Sequence, residues 1–294
     1  MEARSLRDYV REAALAGARR DCRSAHGHRT LEVEVDARGG AAEASAGSTR
    51  VHCELRSELA APATTRPREG SLRIRASYAS CCAWKEDQEA SLERLLQSSV
   101  LRSRALDVEA LCVAAGRAAW SIEADVCVLS CDGNERDVAN AALLAALMTL
   151  QLPDDHGAAS VRLHHVPIAV THAVVDRHVT LVDPTRVEED ASTSLVTVLV
   201  ESSGNVCGFL MLGERAHPTT LERCALVAQA RAEEVTSHLR HVVRRWEDER
   251  QKAKVVRRTW DGEDGDEQGR VVMEAMPSTQ MDVVGDAKVV HVDT

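Results

Sequence analysis

The stretch from residue 137 to residue 150 constrains the fold of this chain more than any other part of it. We predict a helix here, and its side chains are apolar on almost every side. A helix of this kind has no polar face to present to water, so it must lie between two layers of structure. The chain is therefore expected to fold in layers around this helix.

Short strand-like stretches, several of them alternating apolar and polar residues, lie on both sides of that helix. They occupy residues 31–35, 48–55, 72–78, 111–113 and 120–129 before it, and residues 166–175, 179–183, 195–200 and 206–212 after it. Further helices are predicted at residues 6–18, 91–101 and 218–249. Strands followed by a helix, twice in succession, predict an α+β domain made by duplication.

The domain is expected to cover residues 1–250, with a first half at 5–155 and a second half at 160–250. Residues 251–294 are acidic and aperiodic, and we expect them to form a disordered tail.

Composition narrows the classes of function. Aromatic residues make up only 2% of the chain, so an RNA-binding surface cannot rest on rows of stacked aromatic rings. The net charge of −10 argues against a protein that coats nucleic acid by itself. Nine cysteines without a signal peptide predict reduced thiols in an intracellular protein, and no apolar run long enough to predict a membrane span occurs.

Several motifs occur in an order that resembles the RNase PH family and, within it, the ring subunits of the eukaryotic exosome. The matching stretches are residues 47–51, 58–59, 106–113, Gly116, Trp120, Asp132-Gly133-Asn134, 167–170 and 181–185. Together the matches cover about residues 6–248. The most specific of them is the sequence Leu-Val-Asp-Pro-Thr at 181–185.

The resemblance implies an RNase PH-like fold, which is the fold of the second domain of ribosomal protein S5. It also implies a place in a hetero-hexameric ring of paired RNase-PH-like subunits. The implied partners are those subunits, cap subunits with S1 and KH domains, and RNA passing through the channel. No cofactor and no membrane association are implied, and the implied localisation is the nucleus, including the nucleolus, and the cytoplasm.

Active members of the family cleave the 3′ end of RNA with inorganic phosphate, which they hold in a cradle resembling Gly-Gly-Thr/Ser-Arg. The matching residues here are Gly133-Asn134-Glu135-Arg136. Arg136 falls on the phosphate-binding arginine, but Glu135 replaces the hydroxyl donor. A carboxylate repels a phosphate by about 1 kcal/mol at ~4 Å even in bulk water, so the cradle is expected to be spoiled.

Active members also carry two aspartates six residues apart, near the metal or the leaving group. Asp183 matches the first, and Glu189 stands in the place of the second. The extra methylene of Glu189 moves the carboxylate by about 1 Å, a displacement that can lower a rate ~100-fold. The favoured interpretation is that Asp183 caps the turn before Pro184 and that residues 188–190 are a solvated acidic run.

A third element of the resemblance is the predicted helix 91–101, where active relatives place arginines on RNA phosphates. Arg94 is kept in this chain, and Arg102 and Arg104 follow just beyond the helix. Arg94, Ser98 and Arg102 are expected to share one helix face, because they are four residues apart. These arginines could contact RNA weakly or pair with acidic groups on a neighbouring subunit.

Two hypotheses follow. The first is a non-catalytic ring subunit that supports 3′–5′ RNA processing and degradation, including rRNA maturation and mRNA turnover. The alternative is an active phosphate-dependent 3′–5′ exoribonuclease that uses Arg136, Asp183 and Glu189. A kinase-like binder would need a glycine-rich loop opening a helix, and none is found. No metal site is expected, because the pair His164-His165 lacks a third ligand in the sequence.

Overall fold

The secondary structure follows the order that the sequence patterns predict. The computed structural model describes residues 2–82, 86–154 and 157–261. Its helices are α1 (Glu2–Leu15), α2 (Glu86–Gln97), α3 (Glu135–Thr149), α4 (Arg186–Ala191) and α5 (Pro218–Asp261). Its strands are β1 (Leu31–Val35), β2 (Ala41–Ala46), β3 (Thr49–Ala60), β4 (Ser71–Tyr78), β5 (Cys112–Ala114), β6 (Ala118–Ser130), β7 (Gln151–Asp154), β8 (Gly157–Ser160), β9 (Ile168–Asp176), β10 (Val179–Val182), β11 (Ser194–Val200) and β12 (Val206–Gly213).

The first half of the chain forms one sheet with the strand order β1-β2-β3-β6-β4, and β5 pairs with β6. Its neighbours run antiparallel except β4 and β6, which are parallel. Ile122, Ala124, Val126 and Val128 of β6 are all buried, as their period of two predicts. One face of this sheet therefore belongs to the core.

Helix α3 lies between two layers, as its apolar surface predicts. It contacts β1, β2, β3 and β6 of the first sheet and β9 of the second. Leu143, Leu144 and Leu147 are fully buried. Because α3 is enclosed, the turn that begins it is held between the two halves of the chain.

The second sheet has the order β10-β9-β11-β12, with every neighbouring pair antiparallel. Helix α5 buries Cys224, Ala228, Ala232, Val235 and Leu239, which are spaced by three or four residues. These side chains belong to the same hydrophobic core as α3 and both sheets. The predicted α+β fold with strands-plus-helix units is confirmed.

Four elements, β2, β7, β8 and α4, have no counterpart in the sequence patterns. Strand β2 is built from alanine, serine and glutamate, which have little intrinsic strand preference, and its pairing with β1 and β3 determines it. The hairpin of β7 and β8 and the short helix α4 were also not predicted.

The last helix is longer than predicted, because α5 runs to Asp261 and not to residue 249. Residues 1–251 form one compact unit and residues 252–294 a second, of which the structure describes the helical residues 252–261. The predicted disordered tail at 251–294 lies, from residue 262 onward, outside the described residues. Within the described ranges, no helix is long and apolar enough to cross a membrane.

Candidate functional site: an anion cradle filled by carboxylates

The site lies where the turn Asp132-Gly133-Asn134 begins helix α3 and meets the loop that follows β10. Gly133 has φ +83°, and a Cβ atom there would lie 2.4 Å from the backbone nitrogen of Arg186. That nitrogen donates a hydrogen bond to the carbonyl of Asp132 at 3.1 Å. Only glycine allows this close approach, so the turn rests directly on the start of α4.

Asp183, at the end of β10, accepts hydrogen bonds from three residues. The side chain of Arg23 donates to Oδ2 at 2.8 Å, and Asn134 Nδ2 donates to Oδ1 at 2.7 Å. Arg29 donates through its backbone N–H at 2.7 Å and through its guanidinium at 2.7 and 3.0 Å. Asp183 itself is only 4% exposed and has a positive φ of 48°.

This arrangement fixes Asp183 as an anion. Burial by itself raises the pKa of Asp183, but the hydrogen bonds and charge of Arg29, helped by Asn134, hold it well below its usual range. Both carboxylate oxygens are already bound to cationic or amide donors. Asp183 therefore lies where the sequence places it, with both carboxylate oxygens bound to donors within the chain.

Glu189 occupies the position at the N-terminus of α3 where an anion would bind. Its Oε1 accepts a hydrogen bond from the backbone N–H of Asn134 at 2.8 Å and lies 3.9 Å from Nη1 of Arg136. Its side chain is only 7% exposed. The first amides of a helix attract anions, and here the protein's own carboxylate takes that place.

Arg136 is buried with two carboxylates around it. Its Nη2 lies 3.8 Å from Glu135 Oε1, and its Nη1 lies 3.9 Å from Glu189 Oε1. Glu135 also lies 3.5 Å from the hydroxyl of Tyr78 and 3.5 Å from the thiol of Cys131. One cation therefore faces two acids in a site closed to solvent.

The imbalance of charge shifts the pKa of Glu189. Burial, followed by the nearby carboxylate of Glu135, raises the pKa of Glu189 to about 7, although Arg136 opposes the shift. Asp137, in the first turn of α3, is partly buried, and burial raises its pKa to about 6 against the hydrogen bonds from Asn134 and Thr171. The start of α3 is thus crowded with carboxylates.

The expected solvated acidic run at residues 188–190 is wrong. Glu188 is 3% exposed and receives the guanidinium of Arg19 in a two-point ion pair at 2.8 and 2.6 Å. Glu188 also closes a capping box with Thr185 at the start of α4, and only Asp190 points to solvent. The short helix α4 turns two of the three acids inward.

Sequence reasoning missed the basic partners of these acids. Arg19 bonds Glu188 and the carbonyls of Val182 and Asp183, and Arg23 and Arg29 bond Asp183. The concentration of arginines between residues 19 and 29 was a visible signal. Its partners lie more than 150 residues away in sequence, so the pattern alone could not name them.

The three arginines expected to contact RNA are exposed. Arg94 bonds only the carbonyl of Ala90 in its own helix, and within the described ranges no ion pair joins Arg94, Arg102 or Arg104. A π-helical turn, Ser98–Arg102, continues α2 and changes its register. The regular spacing assumed for Arg94, Ser98 and Arg102 is therefore interrupted, although the cations remain available to a ligand.

Comparison with known proteins agrees with this fold. Two family models match: RNase PH, 3′ exoribonuclease family, domain 1 over residues 27–153, and its domain 2 over residues 165–231. An Arabidopsis thaliana protein named exosome complex component RRP45A is 30% identical over 274 residues, covering 85% of this chain and 89% of that protein. The chain belongs to the RNase PH 3′ exoribonuclease family.

Two further relatives extend the comparison. Exosome complex component RRP45 of Saccharomyces cerevisiae is 27% identical over 280 residues, covering 83% of this chain and 92% of that protein. A chain of the Archaeoglobus fulgidus exosome, solved with RNA bound to the active site, superposes with a TM-score of 0.75. It shares 22% identity and covers 80% of this chain and 98% of its own length. The predicted family is confirmed, and so is its RNase PH-like fold.

Replacing Asp183 by asparagine tests whether this carboxylate holds the two halves together. We expect Asp183→Asn to lower the free energy of unfolding by about 3–5 kcal/mol at neutral pH, because the largely buried Arg29 loses its only carboxylate partner within the described residues and Arg23 loses one of two. Since the folded state lowers the pKa of Asp183, the difference from the parent chain should shrink as pH falls below about 4. Urea denaturation of the full-length chain measures both effects.

The matched control for that experiment is Asp190→Asn, because the Asp190 side chain is 47% exposed and lies 4.0 Å from Arg186. We expect it to change the free energy of unfolding by less than about 0.5 kcal/mol. Equal effects of the two substitutions would contradict a structural role for Asp183.

Replacing Glu189 by glutamine tests the crowding of carboxylates. The raised pKa means that Glu189 stabilises the fold fully below its unfolded pKa and loses this contribution as pH rises through about 7. Glutamine imitates the protonated form, so Glu189→Gln should raise the free energy of unfolding by about 1–3 kcal/mol near pH 8 and leave it nearly unchanged near pH 4.5.

Denaturation curves across that pH range provide the measurement. Glu54→Gln is the control, because the Glu54 side chain is 50% exposed. If the free energy of unfolding had the same pH dependence in the parent chain and in Glu189→Gln, the neighbouring carboxylates would not raise the pKa of Glu189.

Proposed function

We propose that this chain is a non-catalytic subunit of the RNA exosome core ring, where it supports 3′–5′ RNA processing and degradation. Membership of the RNase PH family and the similarity to proteins named exosome complex components support this assignment. In this proposal the whole assembly acts on rRNA precursors and mRNA, and this chain contributes to the structure of the assembly.

The main support for a non-catalytic role is the carboxylate of Glu189, which lies at the N-terminus of α3. In this proposal an attacking phosphate would lie at the amide of Asn134 and the guanidinium of Arg136. Glu189 accepts a hydrogen bond from that amide and lies 3.9 Å from Nη1 of Arg136, so it stands where the phosphate would enter. An entering phosphate would have to displace Glu189 and then lie beside Glu135. Like charges about 4 Å apart repel by about 1 kcal/mol in water and by several times more near protein.

Asp183, which corresponds to an acid of the catalytic arrangement in active relatives, is also bound by groups within the chain. An acid that serves the leaving oxygen must exchange a proton or bind a metal ion during the reaction. Asp183 is instead saturated by Arg23, Arg29 and Asn134. Its lowered pKa keeps it from acting as a proton donor.

We further propose that RNA contact is confined to exposed cations. Arg94, Arg102 and Arg104 are exposed and remain able to touch phosphates of a strand in the channel. With a chain charge of −10, such contacts would guide RNA without holding it tightly.

The proposed partners are RNase-PH-like neighbours in a six-membered ring and cap subunits with S1 and KH domains. Strand β12 supports an assembly, because it is an edge strand that exposes Val206, Phe209 and Met211 to solvent. A place in this complex also leads us to propose localisation in the nucleus, including the nucleolus, and in the cytoplasm.

Phosphorolysis can be tested directly. We expect the full-length chain to release no nucleoside diphosphate from single-stranded RNA in phosphate buffer, because its cradle is filled by Glu189. The same assay on the intact assembly should give equal rates with the parent chain and with Glu189→Gln, a substitution that is expected to leave the fold stable. Release by the parent chain that disappears in Glu189→Gln and persists in Asp190→Asn would support the exoribonuclease alternative.

Ring assembly predicts a large particle. Six chains of this size, 32.0 kDa each, have a combined mass of about 190 kDa. Tagged full-length chain in a gentle cell extract should therefore elute at or above that mass in size-exclusion chromatography. Elution as a monomer would contradict the proposed place in a ring.

A further inference from the structure

Three side chains with metal-binding atoms meet at one end of the second sheet, in a cluster separate from the anion cradle. His165 precedes β9, Glu201 follows β11, and Cys207 lies in β12. Their ligand atoms, one from each residue, all lie within 4.8 Å of one another. All three residues are partly buried.

The strand register brings these residues together. Val200 of β11 pairs with Ile168 of β9 on one side and with Val206 of β12 on the other. The register then shifts, because Leu199 pairs with Gly208, so Cys207 is the extra residue of a bulge. A bulge changes the direction of the side chain of its extra residue, and here that side chain is the thiol of Cys207.

The ligand atoms of His165 and Cys207 have few hydrogen-bond partners. Nε2 of His165 is excluded from solvent and has no hydrogen-bond partner within the described part of the chain. The thiol of Cys207 reaches only the carbonyl of Asn205, at 3.8 Å. Leaving an imidazole nitrogen buried and unpaired is costly, which points to a ligand for it.

Glu201 is held in place by its own turn. Its Oε1 accepts hydrogen bonds from the side chains of Ser203 and Asn205. Bonds of this kind orient a carboxylate in the way that outer partners orient the ligands of metal sites. Glu201 thus supplies a fixed negative charge beside His165 and Cys207.

We infer that His165, Glu201 and Cys207 form a binding site for one Zn²⁺ ion. Imidazole nitrogen, carboxylate oxygen and thiolate sulfur are the donors that zinc takes in proteins, at about 2.0–2.3 Å. Mg²⁺ and Ca²⁺ prefer sites made only of oxygen, so the thiol and the imidazole select against them.

The geometry requires a small closure on binding. Tetrahedral zinc with such bond lengths places its ligand atoms about 3.6 Å apart, so the three groups must approach by about 1 Å. They supply three of four positions, and water or a group from outside the chain completes the shell. The ion would join the ends of β9, β11 and the edge strand β12.

Metal content of the full-length chain tests this inference. After incubation with zinc chloride and exhaustive dialysis, we expect one zinc ion per chain by elemental analysis. Cobalt(II) in place of zinc should give the intense visible d–d bands of tetrahedral coordination and a thiolate-to-cobalt charge-transfer band. If the parent chain gave neither signal, the proposed zinc site would be overturned.

Variants locate the ion. His165→Gln and Cys207→Ser should each weaken zinc binding by at least about 100-fold, because removal of a ligand's outer partner already costs about 10- to 100-fold. The matched controls are the adjacent His164→Gln and Cys112→Ser, a partly buried cysteine in the first half. Retention of zinc by His165→Gln and Cys207→Ser, or its equal loss in the controls, would overturn the site.

A further variant separates metal binding from folding. Cys207→His keeps a metal-binding side chain, so it should retain a tetrahedral cobalt spectrum and lose only the thiolate charge-transfer band. Unchanged circular dichroism must accompany any loss of metal in the other variants. Persistence of the charge-transfer band in Cys207→His would assign the thiolate to a different cysteine and contradict the inference.

Discussion

The buried carboxylate of Asp183 is the interaction on which the arrangement of this protein depends. It is the common acceptor for Arg23 and Arg29, which precede the first sheet, and for Asn134, which begins α3. Because α3 packs between the two sheets, this one group fixes the N-terminal segment, the central helix and the second sheet in a single arrangement. A buried charge survives only with such complete pairing, so each donor depends on the others.

The neighbouring carboxylate of Glu189 is the basis of the proposed non-catalytic role. Asn134 links the two acids, since its amide side chain bonds Asp183 and its backbone N–H bonds Glu189. The backbone N–H of Asn134 is bound by Glu189, and Arg136 faces the carboxylates of Glu135 and Glu189 at 3.8 and 3.9 Å. In the proposed non-catalytic role, Glu189 takes the place of an outside anion at this helix N-terminus.

Periodicity was sufficient to predict most of the fold. The almost entirely apolar surface of α3 required two layers, and the period of two in β6 assigned its buried face. The sequence did not predict β2, because its alanines and serine have little strand preference and its pairing with β1 and β3 determines it. It also did not predict α4, which is only six residues long. The spacing of Arg94, Ser98 and Arg102 also misled, because a π-helical turn is invisible in a pattern that assumes regular helix.

The sequence by itself determined the order of elements, the family, and the positions of Arg136, Asp183 and Glu189 at one site. Only the tertiary structure decided which partners those residues contact. Arg29 reaches Asp183 across 154 positions, and Arg19 reaches Glu188 across 169. Likewise, His165 meets Cys207 only through the register of three strands. The roles of charged and metal-binding groups follow from which partners burial brings within about 3 Å, and local spacing carries no information about partners so distant in the chain.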